Sequence, residues 1–176
     1  SFLGGNWALR LGDLLITAGT FERVIICNVA AGGVTSTQLA RGGDCNYRPV
    51  VGARRLLSLG LQPTFVLRHQ GESDVWGNYS TAQVRDNIWS EVETLREVGI
   101  TCPVMVANVA YVNTASVGTP AYNAVRAGQQ AAVDVERGII LGPDTDTVGS
   151  SGRGTADLHF NENGAPTVAA LFRDAI

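Results

Sequence analysis

Two spacings of apolar residues alternate along the chain: one every three to four positions, the other in short unbroken runs. In "NWALRLGDLLITAG", Trp7, Leu11, Leu14 and Leu15 share one side of a helix that Gly19 brings to a close. "RVIICNVA" follows, a β-branched run shut off by Gly32 and Gly33, and it reads as a buried strand. Helical spacing returns in "YRPVVGARRLLSLG", with Pro49 near the start and Gly60 past the end, and "TFVLRH" is the next strand. "STAQVRDNIWSEVETLREVG" predicts a helix opened by a capping box of Ser80 and Gln83, with Val84, Ile88, Val92 and Leu95 as its apolar stripe. "PVMVANVAY" predicts a strand, "PAYNAVRAGQQAAVDVERG" a helix ending at Gly138, and "GIILG" a short strand. "NENGAPTVAALFRDAI" turns and finishes as a helix.

Strand and helix alternate so regularly that the expected fold is α/β: one domain spanning residues 1–176, a mainly parallel sheet with helices on both faces. In such sheets ligands sit beyond the carboxyl ends of the strands. Chemistry is therefore sought at Gly32 and Gly33, at His69 to Asp74, and in the loops after the later two strands.

Composition narrows the function classes. Net charge is −3 and no basic stripe is visible, which argues against a nucleic-acid partner. No apolar stretch approaches the roughly 18 residues that cross a bilayer, and the N-terminus lacks a signal-peptide layout. All 13 basic residues are Arg, so Schiff-base and P-loop chemistry, which need a lysine amine, are excluded. Cys27 reads as a small core residue of its strand. Cys45 and Cys102 fall in loops where pairing is possible but is not established by spacing. With two histidines and no Cys-x-x-Cys, no metal site is expected, and no cofactor. Nothing in the composition fixes the compartment.

Three polar clusters remain. "RHQGESD" ends a strand abruptly: Gln70 offers a neutral amide that can stabilise an oxyanion, while Glu72 and Asp74 can position hydroxyls or lock the loop. Read as Gly-x-Ser, Ser73 is a rival nucleophile, and Glu72 with Asp74 would make a poor magnesium site. An acid cluster complementing a helix N-terminus is the plainer alternative. In "TADLHFNENG", Asp157 and His159 are two apart, and a carboxylate so close to an imidazole can fix its tautomer and leave the other nitrogen as a base. "NVAAGGVTS" exposes backbone amides at Gly33, raw material for an oxyanion hole.

Together and in this order, "NVAAGGVTS", "RHQGESD" and "DLHFNENG" resemble the SGNH hydrolase superfamily, and within it the sialate O-acetylesterase-like carbohydrate esterases. The resemblance covers essentially the whole chain. It implies a three-layer α/β/α sandwich of flavodoxin-like type and a serine esterase acting on an acetylated glycan or small ester, which slightly favours a secreted or extracellular setting. It also implies His159 as base, Asp157 as its orienting partner and Gly33 as oxyanion donor. Either Gln70 or Glu72 would stand in for the family's Asn. In the family the nucleophile ends a first strand. None precedes "NWALRLGDLL", and Ser1 is the only serine before Gly33. A central strand is thus expected to be missing, with the serine supplied from upstream of Ser1. The alternative is a glycan-binding or structural module without the nucleophile, in which Trp76, Tyr79 and Tyr111 can stack on sugars.

Overall fold

The structure is a computed structural model and describes residues 6–154 and 156–176; Ser1 lies outside them. Helix α1 (Trp7–Thr17) starts where the Asn6 side chain accepts the Ala8 amide, and α2 (Ser36–Leu39) is a single turn capped by Thr35. Helix α3 is Tyr47–Ser58, and α4 is the short Glu72–Trp76. Helix α5 (Thr81–Val98) has the Ser80/Gln83 capping box read from sequence and ends on Gly99 at φ +103°, a conformation glycine adopts without penalty. Helix α6 (Pro120–Ala131) stops short of the predicted Gly138. Asp134 accepts the Arg137 amide at 3.1 Å and pairs antiparallel with Ile139, so a turn takes over the backbone groups a longer helix would need. Helix α7 is Gly164–Ala175. Among the described residues no helix is long and apolar enough to cross a membrane.

Strands β1 (Val66–Arg68), β2 (Val104–Asn108) and β3 (Ile139–Asp144) form a parallel sheet in the order β1-β2-β3. Val66 aligns with Val104 and Val104 with Ile139. Central β2 is buried along its whole length, so its alternating side chains divide the core in two. Val104 and Val106 pack with Val84, Ile88, Val92 and Val125 of α5 and α6. Met105 and Ala107 pack with Leu11, Leu15, Val168 and Phe172 of α1 and α7. Gly128 permits a close approach of α6 to α5, since a Cβ there would lie 2.6 Å from that of Val84.

The expected strand 23–30 is extended but pairs with no strand among the described residues. Its side chains nonetheless alternate between two helices. Val24 and Ile26 meet α1 at Gly12, whereas Cys27 and Val29 meet α3 at Gly52. Those same helices also cover β1, with Leu67 in the α1 cluster and Val66 beside Ala53 and Leu57 of α3. The run 24–30 and β1 thus lie beneath a shared roof and floor without hydrogen bonding to each other. The consequence is exposure: Ile25 is 62% accessible and Cys27, expected in the core, is exposed. All three cysteines are free, so Cys45 and Cys102 are not paired.

Candidate active site

The polar stretch after β1 is organised by its first residue. Arg68 is buried, and its Nε donates to Glu91 Oε2 at 2.8 Å. The rest of the guanidinium donates to the Gln70 backbone oxygen (3.2 Å) and to Gln70 Oε1 (2.9 Å). The Gln70 amide is thereby turned so that its Nε2 donates to the Val34 carbonyl at 3.1 Å. Two residues past Val34, the Ser36 amide donates to Asp74 Oδ1 at 2.8 Å, and Ser36 Oγ accepts from Asn87 at 3.0 Å. Residues 34–36 are therefore fastened to the 70–74 loop twice. Gly33, immediately before them, is exposed at φ +71°; nothing crowds it, so its glycine is required by backbone conformation rather than by space.

Gly71 meets the opposite demand. Its backbone is extended, but a Cβ would fall 1.9 Å from the Val109 carbonyl oxygen. Beneath it, fully buried Gln129 donates to Gln70 O (3.0 Å) and Val109 O (2.6 Å) and accepts from Val109 N (2.9 Å). One side chain of α6 thus joins the loop after β1 to the end of β2. Glu72 opens α4, and its Oε2 accepts the Gly71 amide at 3.1 Å.

The segment with Asp157 and His159 forms a small hairpin closed by the Arg153–Phe160 bridge and by Gly154 N donating to His159 O at 2.8 Å. Asp157 has φ +50°, an uncommon conformation that Asp tolerates. Its carboxylate accepts the Tyr111 hydroxyl (3.0 Å), the Thr114 amide (2.9 Å) and the Thr114 hydroxyl (3.0 Å). Arg153 lies between the rings of Tyr111 and Phe160, 4.1 and 4.6 Å from their centroids, and donates to Leu158 O at 2.6 Å. Beside the hairpin, His69 Nε2 is 2.9 Å from Thr145 Oγ1, and its ring is 5.7 Å from that of Phe160.

Three segments far apart in sequence therefore converge at the carboxyl end of the sheet: 33–36, 69–74 and 157–160. Burial lowers the His69 pKa, so that ring is neutral at physiological pH, despite the opposing pull of Glu72 and Asp146. Burial raises that of Asp74, against the Ser36 hydrogen bonds. Asp157 is moved down, chiefly by the Thr114 amide, and is an anion.

Of the residues singled out from sequence, Gln70 and Gly33 are brought to one place, with Gln70 bracing the turn that carries the glycine. Glu72 lies near both His69 and Arg153, and its charge favours the protonated form of each against the opposing effect of burial. His159 is exposed, and among the described residues no hydrogen bond joins it to Asp157. Tyr111 is buried against Arg153, which leaves no face for a sugar. Sequence reasoning missed Gln129 and Arg153. A signal existed for the first: Gln129 falls on the buried stripe of α6 with Tyr122 and Val125, where a polar residue needs partners.

No family profile matches this chain, and no curated protein matches it. Among solved structures, a protein from Arabidopsis thaliana with a 1.6 Å X-ray structure is similar, with a TM-score of 0.69 at 18% identity. The match covers 96% of this chain and 65% of the Arabidopsis one, so this chain spans about two thirds of that protein. At this identity the likeness concerns the fold.

Proposed function

We propose that this chain forms most of an SGNH-type serine esterase that removes O-acetyl groups from carbohydrate. The observation that carries the reading is the double fastening of the Gly33 turn to the Gln70–Asp74 loop, at 3.1 and 2.8 Å, beside the hairpin that bears His159. A tetrahedral oxyanion needs donors held still before the reaction begins, and these bonds hold the Gly33 amide in that way. Gln70, already committed to Val34 O, supports the hole through its geometry. Glu72 holds the turn at Gly71.

The nucleophile is assigned to a serine on a further strand, in the flavodoxin-like arrangement that the motifs resemble. Two facts support that strand: the run 24–30 and β1 share the cover of α1 and α3, and neither pairs across the space between them. A strand entering there satisfies both sets of backbone groups. The serine Oγ attacks the acetyl carbonyl as its proton passes to the His159 ring. His159 then returns that proton to the departing sugar oxygen; water, deprotonated in turn by His159, attacks the acyl carbonyl, and the serine oxygen leaves with that proton as acetate is released. Asp157, fixed as an anion by Tyr111 and Thr114, sets the hairpin and favours the imidazolium electrostatically. No metal or organic cofactor enters these steps.

The second reading is a glycan-binding module of the same fold without catalysis. It is favoured by one feature, the commitment of the Asp157 carboxylate to Tyr111 and Thr114 rather than to His159. The two part on a single assay. In the full-length polypeptide, His159→Ala should cut p-nitrophenyl acetate turnover by about a hundredfold or more. Turnover equal to that of the unmodified protein removes His159 from the chemistry.

A further inference from the structure

We infer that the groove between Trp76 and the 113–121 loop binds an uncharged sugar ring. The inference rests on the esterase reading only for the groove's place beside an acyl-transfer centre. Three tryptophans contrast in their surroundings. Trp7 is stacked on Phe172 at 4.5 Å, and Trp89 donates to Ala132 O at 3.0 Å between two arginines. Trp76 is 60% exposed and, among the described residues, makes neither a ring stack nor a hydrogen bond from its indole N–H. The end of α4 is held firm all the same, with Gly77 N donating to Ser73 O and Asn78 N to Val75 O, both at 3.1 Å. An open indole face carried on a hydrogen-bonded helix end is a surface on which the apolar face of a pyranose can stack.

The groove around it holds about 430 Å³ and is shallow and largely open to solvent. Its polar groups suit hydroxyls. The Asn78 side-chain amide and Asn113 Nδ2 have no partner among the described residues; Asn113 uses only its Oδ1, which accepts the Ser116 amide at 2.9 Å. None of the lining side chains is charged. A carboxylated sugar would find no guanidinium there to form the paired hydrogen bonds that carboxylates draw on. Arg153 is sealed beneath Tyr111 and Phe160, and Arg126, on the helix that follows the loop, is paired with Asp144 and Asp146.

Both walls lead to the candidate active site. One is α4, which begins at Glu72; the other is the turn whose Thr114 holds Asp157. A neutral oligosaccharide seated on Trp76 would present a neighbouring acetylated residue to that centre.

The test uses the full-length polypeptide and calorimetric titration with neutral tetrasaccharides of glucose, xylose, mannose and galactose, and with tetragalacturonate. At least one neutral sugar should bind. Trp76→Ala should weaken it about tenfold, Trp76→Phe should retain part of the affinity, and tetragalacturonate should bind at least tenfold less tightly. Absence of binding by every neutral sugar, equal affinity in Trp76→Ala, or equal affinity for tetragalacturonate overturns the inference. Hydrolysis of p-nitrophenyl acetate, too small to need the groove, is followed in parallel. Trp76-dependent binding without hydrolysis supports the groove and sinks the esterase, whereas hydrolysis with binding indifferent to Trp76 does the reverse.

Discussion

Replacing Gln129 with leucine should unfasten the loop after β1 from the end of β2. Leucine nearly matches glutamine in volume, so the substitution leaves little cavity and isolates the polar contribution. Four bonds vanish: those to Gln70 O, Val109 O, Val109 N and Asn108 Nδ2, the last of which keeps its bond to Arg126 O at 3.1 Å. Two backbone groups, the amide and the carbonyl of Val109, are then left without a partner at a site with no solvent access, while Gln70 O keeps its bond from the Arg68 guanidinium. Each unsatisfied buried group costs about 1–3 kcal/mol, partly offset by the burial of a leucine, which points to a net loss of about 2–4 kcal/mol. Against the roughly 5–15 kcal/mol that holds a domain together, this is a large share. With a urea slope of about 2 kcal/mol per molar, the midpoint should fall by about 1–2 M at unchanged slope. Gln129→Glu should do no better, because it removes both N–H donors and buries a charge. A midpoint within about 0.3 M of the parent for the leucine variant would refute the argument that this side chain couples the two loops.

Gly71→Ala should destabilise by about 3 kcal/mol or more, since its Cβ would collide with the Val109 carbonyl oxygen, which sits in backbone that cannot swing aside; thermal melts check this, and a shift of less than about 2 °C counts against it. Asp74→Asn tests a pH dependence. A carboxyl whose pKa is raised on folding binds its proton more tightly in the native state, so its contribution is fully present below the unfolded value near 3.8 and is lost as pH rises through the raised native value. The asparagine variant keeps an oxygen for the Ser36 amide and should be more stable than the parent at pH 7, with that difference shrinking toward pH 4. A parent-minus-variant difference independent of pH would show that Asp74 does not titrate in this way.

The five longer helices were legible because each carries an apolar stripe and a local start or stop signal, and Ser80 with Gln83 and Gly99 bound α5 almost to the residue. Helices α2 and α4, one turn or little more, are too short to show a stripe and were not read from the sequence. Residues 24–30 were legible as extended chain but not as a lone run, because hydrophobic pattern reports burial and not the presence of a pairing neighbour. The site was legible as three clusters of polar residues. What joins them was not. The contacts of Gln70 with Val34, Ser36 with Asp74, and Tyr111 with Asp157 span 36, 38 and 46 positions, and no local pattern encodes such pairings. The Asp-x-His spacing suggested a direct dyad, yet at φ +50° Asp157 meets the 111–114 loop instead.

The bare backbone of residues 24–28 also bears on how the molecule behaves in a tube. Without the further strand proposed above, Ile25 and Ile26 are exposed and the peptide groups of 24–28 have no hydrogen bonds among the described residues, so this stretch can template pairing between copies. Self-association should therefore grow with concentration, and the exposed thiol of Cys27 offers such contacts a covalent lock under oxidising conditions.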